Sequence, residues 1–347
     1  MTRKPHILLI YTGGTIGMIK EYKTNVLKAF NFDKISKNIP ELQQLNCTIH
    51  TISFDTPIDS SNMNTQYYIQ IAEMIEDNYT GFDGFVVLTG SDTMSYLSSA
   101  ISFMFENLQK PIVFTGSQLP IGDLRTDAKE NLITAIEIAS SRKNDTPIVS
   151  EVCLYFEYKL YRANRTTKLN AEQFEAFASL NYPPLAESGV HLKFNEHLLY
   201  KSKENKKALI VRKKLDTNIF ILKLFPGITE TIVKTIVRTK NLKGIVLETY
   251  GAGNTPTEKW FLELLKEAIQ KNIHIINVTQ CVGGSVILGR YETSVQLKEI
   301  GIIDGKDITT ESAIAKLMHL LGKNLSKKEF KHFFEKSLRG EITENEV

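Results

Sequence analysis

Cysteine is scarce in this chain. Cys47, Cys153 and Cys281 are odd in number, widely spaced and set in or beside apolar runs, so they fit neither a disulfide framework nor a zinc site, and a reducing cytoplasm suits all three. Long hydrophobic runs are missing too. No stretch reaches the ~20 apolar residues that cross a bilayer. The opening run from His6 to Tyr11 is too short for the core of an export signal and has no cleavage site after it. A cytoplasmic protein that meets no membrane is expected. Charge of one sign is equally lacking. The 42 Lys and Arg residues nearly balance the 39 Asp and Glu, for a net charge of +3. The Lys-rich runs at Lys201 to Lys207, Arg212 to Lys214 and Lys327 to Lys331 are interrupted or bounded by acidic or apolar residues, which reads as solvated surface and not as a nucleic-acid face. What remains is globular: 42% apolar residues and both signs of charge interspersed exclude disorder, and 347 residues suffice for two domains, each with its own core.

The run from His6 to Tyr11 reads as a buried strand that stops abruptly in Thr12-Gly13-Gly14-Thr15-Ile16-Gly17-Met18. A strand feeding a glycine-rich turn leaves backbone N–H groups free at the carboxyl end of a sheet, where open α/β folds bind ligands. Three chemistries compete for such a loop. A phosphate-binding P-loop needs a Lys after its last glycine, and none follows Gly17. The dinucleotide fingerprint GxGxxG finds Gly14 and Gly17, with Asp33 near the distance for a ribose contact, but Thr12 stands where its first glycine belongs. In the third reading Thr15 is a nucleophile, and an alcohol serves as one only beside a base or a cation. A tight structural turn accounts for the glycines equally well, so the loop alone does not decide.

Downstream, strand-like and helix-like stretches alternate. Cys47 to Ile52 has period two, the turn-forming stretch 54–64 carries Asp59-Ser60-Ser61-Asn62, and Thr65 to Tyr79 has helical spacing. Gly84 to Leu88, Pro111 to Thr115 and Glu151 to Phe156 read as buried strands, with helices at Met94 to Phe105 and Leu124 to Ser141 between them. This alternation argues a parallel sheet with right-handed crossovers, which brings the loops carrying Thr15, Ser60-Ser61, Ser91-Asp92 and Lys168 to one sheet edge. The fold class expected is α/β. A larger N-terminal parallel-sheet domain occupies residues 1–190, an interdomain connection with room for one hairpin 191–214, and a smaller C-terminal α/β domain 215–347. Strands at Ile219 to Leu224, Gly244 to Thr249 and Ile273 to Val278 build the smaller domain, with helices at Thr229 to Arg238 and Thr257 to Lys271 between them. Helices at Ser312 to Leu321 and Lys327 to Leu338 close it.

Each of these polar residues is ordinary alone, since Ser and Asp after a strand are usually caps and a Lys there is usually solvated. Their combination resembles the bacterial-type L-asparaginases, cytoplasmic type I branch. YTGGTIGM (Tyr11 to Met18), DSSNM (Asp59 to Met63), TGSDTM (Thr89 to Met94), TGSQLP (Thr115 to Pro120), RANRTTK (Arg162 to Lys168), YGAGN (Tyr250 to Asn254) and TQC (Thr279 to Cys281) occur in the family's order across nearly the whole chain. The resemblance implies an amidohydrolase that converts L-asparagine to L-aspartate and ammonia without a metal or other cofactor. Thr15 is implied as the nucleophile that forms an acyl-enzyme, with loop backbone around Gly14 and Gly90 binding the substrate and its oxyanion. Ser91, Asp92 and Lys168 are implied as a second cluster, in which the ammonium makes a neighbouring hydroxyl a better proton acceptor. Ser60 and Ser61, with Asp92, resemble the clamp for the α-ammonium and α-carboxylate. Asn254 resembles a residue lent by a neighbouring subunit, so the chain is expected to pair with itself as a homodimer or a dimer of dimers.

Three departures from the family's pattern matter. The family usually has Thr at position 91, and Ser keeps the hydroxyl with a freer rotamer. The loop Lys23-Thr24-Asn25-Val26-Leu27 lacks the Tyr that many members place there, and Tyr22 falls too early. Tyr291, beside Glu292, is the expected substitute. Cys281 matches an effector-asparagine site of type I members, but Glu248 stands where a basic residue would receive the effector's carboxylate. Other functions compatible with the chain are a glutaminase, the amide-hydrolysing subunit of a transamidation complex, a non-catalytic amino-acid sensor or a dinucleotide-binding module.

Overall fold

The computed structural model describes residues 3–20, 27–29, 39–200, 207–289 and 292–344. The chain divides into two units, Met1–Lys213 and Lys214–Val347. In the first, five parallel strands form one side of an eight-stranded sheet: β1 (His6–Gly13), β2 (Thr48–Ile58), β3 (Gly84–Leu88), β4 (Ile112–Thr115) and β5 (Val152–Phe156), in the spatial order β2-β1-β3-β4-β5 with β2 at the edge. β3 and β5 are buried at every residue, as a parallel sheet covered on both faces requires. Helices α1 (Thr65–Asn78), α2 (Met94–Met104) and α3 (Ala128–Ser140) make the crossovers from β2 onward. The Asn64 side chain accepts the Gln66 N–H at 2.9 Å and so starts α1 as a cap.

The strand order reverses between β1 and β3. Ligands of open α/β sheets bind outside the carboxyl ends of the strands at such a point, and the loop with Thr15 and the loop with Ser91 leave the sheet there.

Beyond β5 the sheet is antiparallel, so the first unit is mixed where the sequence reading expected parallel strands. β6 (Lys159–Arg162) folds back on β5 through a turn in which Glu157 and Tyr158 both have positive φ, 43° and 67°. β7 (Thr167–Lys168) and β8 (Phe177–Ala178) form a separate ribbon, and β9 (Ala186–Ser188) and β10 (Leu192–Phe194) complete the large sheet. The stretch 191–214 read as a connection therefore gives its first part to the sheet edge. Ile210–Val211 pairs with Phe105–Glu106 in the same unit, and the boundary falls after Lys213. Strands of two or three residues are too short to carry a period-two signal among lysines.

The second unit has four parallel strands in chain order, β11 (Ile219–Lys223), β12 (Gly244–Thr249), β13 (His274–Thr279) and β14 (Ile303–Asp304). α4 (Glu230–Val237), α5 (Lys259–Gln270) and α6 (Glu292–Ile300) contribute to one apolar core, around Leu247, Phe261 and Ile275. α7 (Thr310–Leu321) and α8 (Lys327–Glu335) build the other, around Val246, Leu317 and Phe330. Among the described residues no helix is long and apolar enough to cross a membrane.

Candidate active site

At the switch point three strand-end loops interlock through glycine. Gly14 has φ 85°, and its N–H donates to the Ile58 carbonyl at the end of β2 at 3.1 Å. A Cβ on Gly14 would fall on the backbone of Gly90, and one on Gly90 would lie 2.6 Å from Cβ and Oγ of Ser60. The Thr93 hydroxyl adds a bond to the Ser60 carbonyl at 2.9 Å. The loops after β1, β2 and β3 are therefore in close contact, with no room for a side chain at Gly14 or Gly90.

Thr15 opens the single 3-10 turn Thr15–Gly17 and is half-buried. Its hydroxyl and N–H, like the N–H of Gly90, take no partner among the described residues. Both backbone groups of Gly14 are occupied, the N–H by Ile58 and the carbonyl by Gly17 N at 3.2 Å, so its contribution is close approach and not donation. Burial pushes the Tyr11 phenol up to about 12, which keeps it protonated and removes it as a base for Thr15 near neutral pH. After β2, Ser60 is buried and Ser61 exposed. The Ser61 N–H and hydroxyl both donate to Asp59, at 2.8 and 2.7 Å, and hold its carboxyl below the usual range.

Ser91, Asp92 and Lys168 come together although 77 residues separate the serine from the lysine. Lys168 Nζ donates to Ser91 Oγ at 2.8 Å and to Asp92 Oδ1 at 2.6 Å. The Lys168 side chain is 16% exposed and that of Asp92 67%. Serines on α2 position this lysine. Ser102 Oγ accepts from Asn164 at 3.1 Å, Thr166 Oγ1 donates to the Ala163 carbonyl at 2.7 Å and lies 3.4 Å from Ser95 Oγ, and the buried segment 163–166 then delivers Lys168 on β7. Small hydroxylated residues let helix and segment approach closely while satisfying buried polar groups.

Sequence reasoning missed Gln118, which follows β4. Its Oε1 accepts from Ser91 Oγ at 3.3 Å, its Nε2 reaches the carbonyls of Ala171 and Gln173, and Asp127 holds its N–H at 2.9 Å. The position lay inside TGSQLP, but a Gln after a strand looks like any polar turn residue. Asn254 lies in the second unit, where the Tyr250 and Asn254 backbones bond each other reciprocally at 3.0 and 2.8 Å to close the YGAGN turn. Glu248 is occupied by Lys223 at 3.0 Å and Thr310 at 2.7 Å, while Cys281 is exposed. Tyr291, Tyr22 and residues 23–26 lie outside the described residues. Among the described residues no group of three or more His, Cys, Asp or Glu is placed to hold a metal ion. A cleft of about 830 Å³ lined by Arg3, Glu137 and Arg142 lies at the amino ends of the first unit's strands, away from that unit's loops with Thr15, Ser60 and Ser91.

Two family models cover most of the chain: "Asparaginase, N-terminal" matches residues 6–200, and "Glutaminase/Asparaginase C-terminal domain" matches 218–334. The chain is 38% identical over 343 residues to L-asparaginase 1 of Escherichia coli K12, covering 98% of this chain and 99% of that one. It is 31% identical over 345 residues to a subunit of the glutamyl-tRNA(Gln) amidotransferase of Methanobrevibacter smithii, covering 98% and 78%. The crystal structure of L-asparaginase I from Vibrio cholerae superposes with a TM-score of 0.89 at 37% identity, covering 98% of this chain and 100% of that one.

Proposed function

This chain belongs to the asparaginase/glutaminase family of amidohydrolases, and on that premise we propose that it hydrolyses L-asparagine to L-aspartate and ammonia through Thr15. The observation that carries the reading is the contact of Lys168 with both Ser91 and Asp92, at the edge where the Gly14 and Gly90 loops touch. Thr15 Oγ attacks the side-chain amide carbon, and the N–H groups of Thr15 and Gly90 are available to the oxyanion. The carbon–nitrogen bond then breaks, and ammonia leaves with the proton that Thr15 gave up. Water cleaves the resulting ester and restores Thr15. The Lys168 charge beside Ser91 Oγ stabilises its deprotonated form and makes the hydroxyl a competent proton carrier in both steps. Ser60, Ser61 and Asp92 hold the α-ammonium and α-carboxylate, and that binding orients the amide for attack. No cofactor is required. The enzyme acts in the cytoplasm as a homodimer or a dimer of dimers, with Asn254 supplied by the neighbouring subunit.

Release of ammonia from L-asparagine in a coupled assay tests the activity. Turnover of neither L-asparagine nor L-glutamine would leave an amino-acid sensor, and an ultraviolet difference spectrum with NAD would reveal a dinucleotide module. Likeness to part of an amidotransferase over 98% of the chain favours glutamine as a second reading. One methylene distinguishes the amides by only ~1–3 kcal/mol in a pocket, so kcat/KM on both decides. Mixing inactive Thr15→Val with inactive Asn254→Ala subunits regenerates activity if the site is shared, and none returns from exchanging subunits if it is not.

A further inference from the structure

Gln118 is engaged at both ends of its amide. Nε2 donates to the carbonyl oxygens of Ala171 at 3.1 Å and Gln173 at 3.0 Å. Carbonyl oxygens only accept, so Nε2 faces them and Oε1 faces Ser91; the partners settle the orientation of the amide. An amide oxygen cannot donate. The proton of the Ser91 hydroxyl therefore points at Gln118, across 3.3 Å, while the Lys168 ammonium donates to the same Ser91 oxygen at 2.8 Å. One lone pair of Ser91 Oγ is left to accept a hydrogen bond from elsewhere.

A serine hydroxyl has three staggered χ1 wells, whereas a β-branched residue is restricted by its own second substituent. At position 91 that substituent is absent, and Gln118 supplies the missing constraint from outside. A bond of 3.3 Å is long for a hydroxyl, so its effect is direction more than strength. Gln118 is itself held. Its N–H and that of Leu119 donate to Asp127, at 2.9 and 3.1 Å. Asn170 Oδ1 accepts from Glu172 N at 2.8 Å and Gln173 N at 3.0 Å, shaping the turn that presents both carbonyls directly after Lys168.

We infer that Gln118 is a positioning residue for amide hydrolysis: it fixes the Ser91 hydroxyl with its proton on Oε1 and ties Ser91 to the turn that follows Lys168. The inference rests on the amidohydrolase reading above. Gln118→Met keeps length and volume and deletes both ends of the clasp. It lowers kcat for L-asparagine about tenfold and leaves KM within about twofold, as loss of orientation at a reacting group does. In a Ser91→Thr background, where the β-branch restricts the hydroxyl itself, the same change costs about threefold or less. Equal fractional losses in both backgrounds, a loss confined to KM, or an unchanged kcat overturns the inference. Wild-type turnover that Thr15→Val abolishes in the same assay separates that outcome from failure of the proposed activity. Should Gln118→Met not accumulate as folded protein, Gln118→Glu serves in its place. A protonated carboxyl donates to one carbonyl and accepts from Ser91, whereas the ionised form only accepts. Its kcat relative to wild type then falls as pH rises through the carboxyl titration, and a flat ratio overturns the inference.

Discussion

Each unit holds a lysine bound to a carboxylate, and the two pairs are built oppositely. In the second unit Lys316 and Glu341 are both 0% exposed. The ammonium reaches the carbonyls of Phe334 at 2.6 Å and Lys336 at 2.7 Å as well as Glu341, which fills its three donors. Glu341 in turn accepts the N–H groups of Leu338 and Arg339, at 2.9 and 2.7 Å. Burial raises this carboxyl, but the ammonium and those N–H groups outweigh it and hold it below its ordinary value. In the first unit Lys168 uses two donors on the described residues, and Asp92 is mostly in water. A saturated pair can only hold what it holds. An open pair retains a donor and a carboxylate oxygen for something that arrives. The first fastens the chain's last segment beneath α7 and α8, and the second has the form of a site.

That contrast breaks if chemistry and stability do not separate. Thr15→Val carries the largest effect. It removes the nucleophile at nearly constant volume, so turnover falls by about a thousandfold or more while the melting temperature holds. A folded variant retaining a tenth of wild-type kcat would take Thr15 out of the role. Lys316→Met comes next. Breaking a buried pair leaves Glu341 uncompensated and costs about 3–5 kcal/mol in denaturant unfolding, with kcat per folded molecule unchanged. A loss under about 1 kcal/mol would mean water reaches the pair. Lys168→Met reverses the pattern: kcat falls ~10²-fold or more, and stability moves by less than about 1 kcal/mol because its partner is exposed. An unchanged kcat would reduce Lys168 to a surface residue.

Each unit was legible only in part. Gly84–Leu88 and Gly244–Thr249 stand where their unbroken apolar runs put them, since a strand buried on both faces writes itself as such a run. The antiparallel strands β6, β9 and β10 were not, being four residues or fewer, and neither was α6, whose sequence ETSVQLKEI offers few apolar positions to a helical stripe. Local pattern brought Ser91 and Lys168 to one sheet edge, but motif resemblance, not periodicity, joined them, because a contact spanning 77 residues has no local signature. Gln118 left no signal beyond polarity. Lys316 was hidden for the converse reason. A lysine on an amphipathic helix is nearly always read as solvated, and only the tertiary fold puts this one inside.

The smallest expected effect sharpens the structural side of the contrast. α8 is held from below at two places, by Lys316 Nζ on the Phe334 carbonyl and by His274, whose ring stacks on Phe330 with centroids 3.7 Å apart and planes at 19°. Burial, and then the charge of Lys327, brings His274 down to about 4. The folded state thus prefers the neutral imidazole, and between about 6.5 and about 4 the unfolded chain binds the proton more readily. The contribution is fully present above about 6.5 and declines as pH falls through that window, because refolding must expel a proton. His274→Phe keeps a ring on Phe330 and deletes the titrating nitrogens. Carboxylates elsewhere titrate alike in both proteins, so the difference between their denaturant midpoints isolates this group. The variant gains on wild type as pH drops from about 7 to about 5, while kcat per folded molecule stays equal at each pH. Parallel midpoint curves would show that the ring is wet enough to charge in place, and α8 would then owe its seat to Lys316 and apolar packing alone.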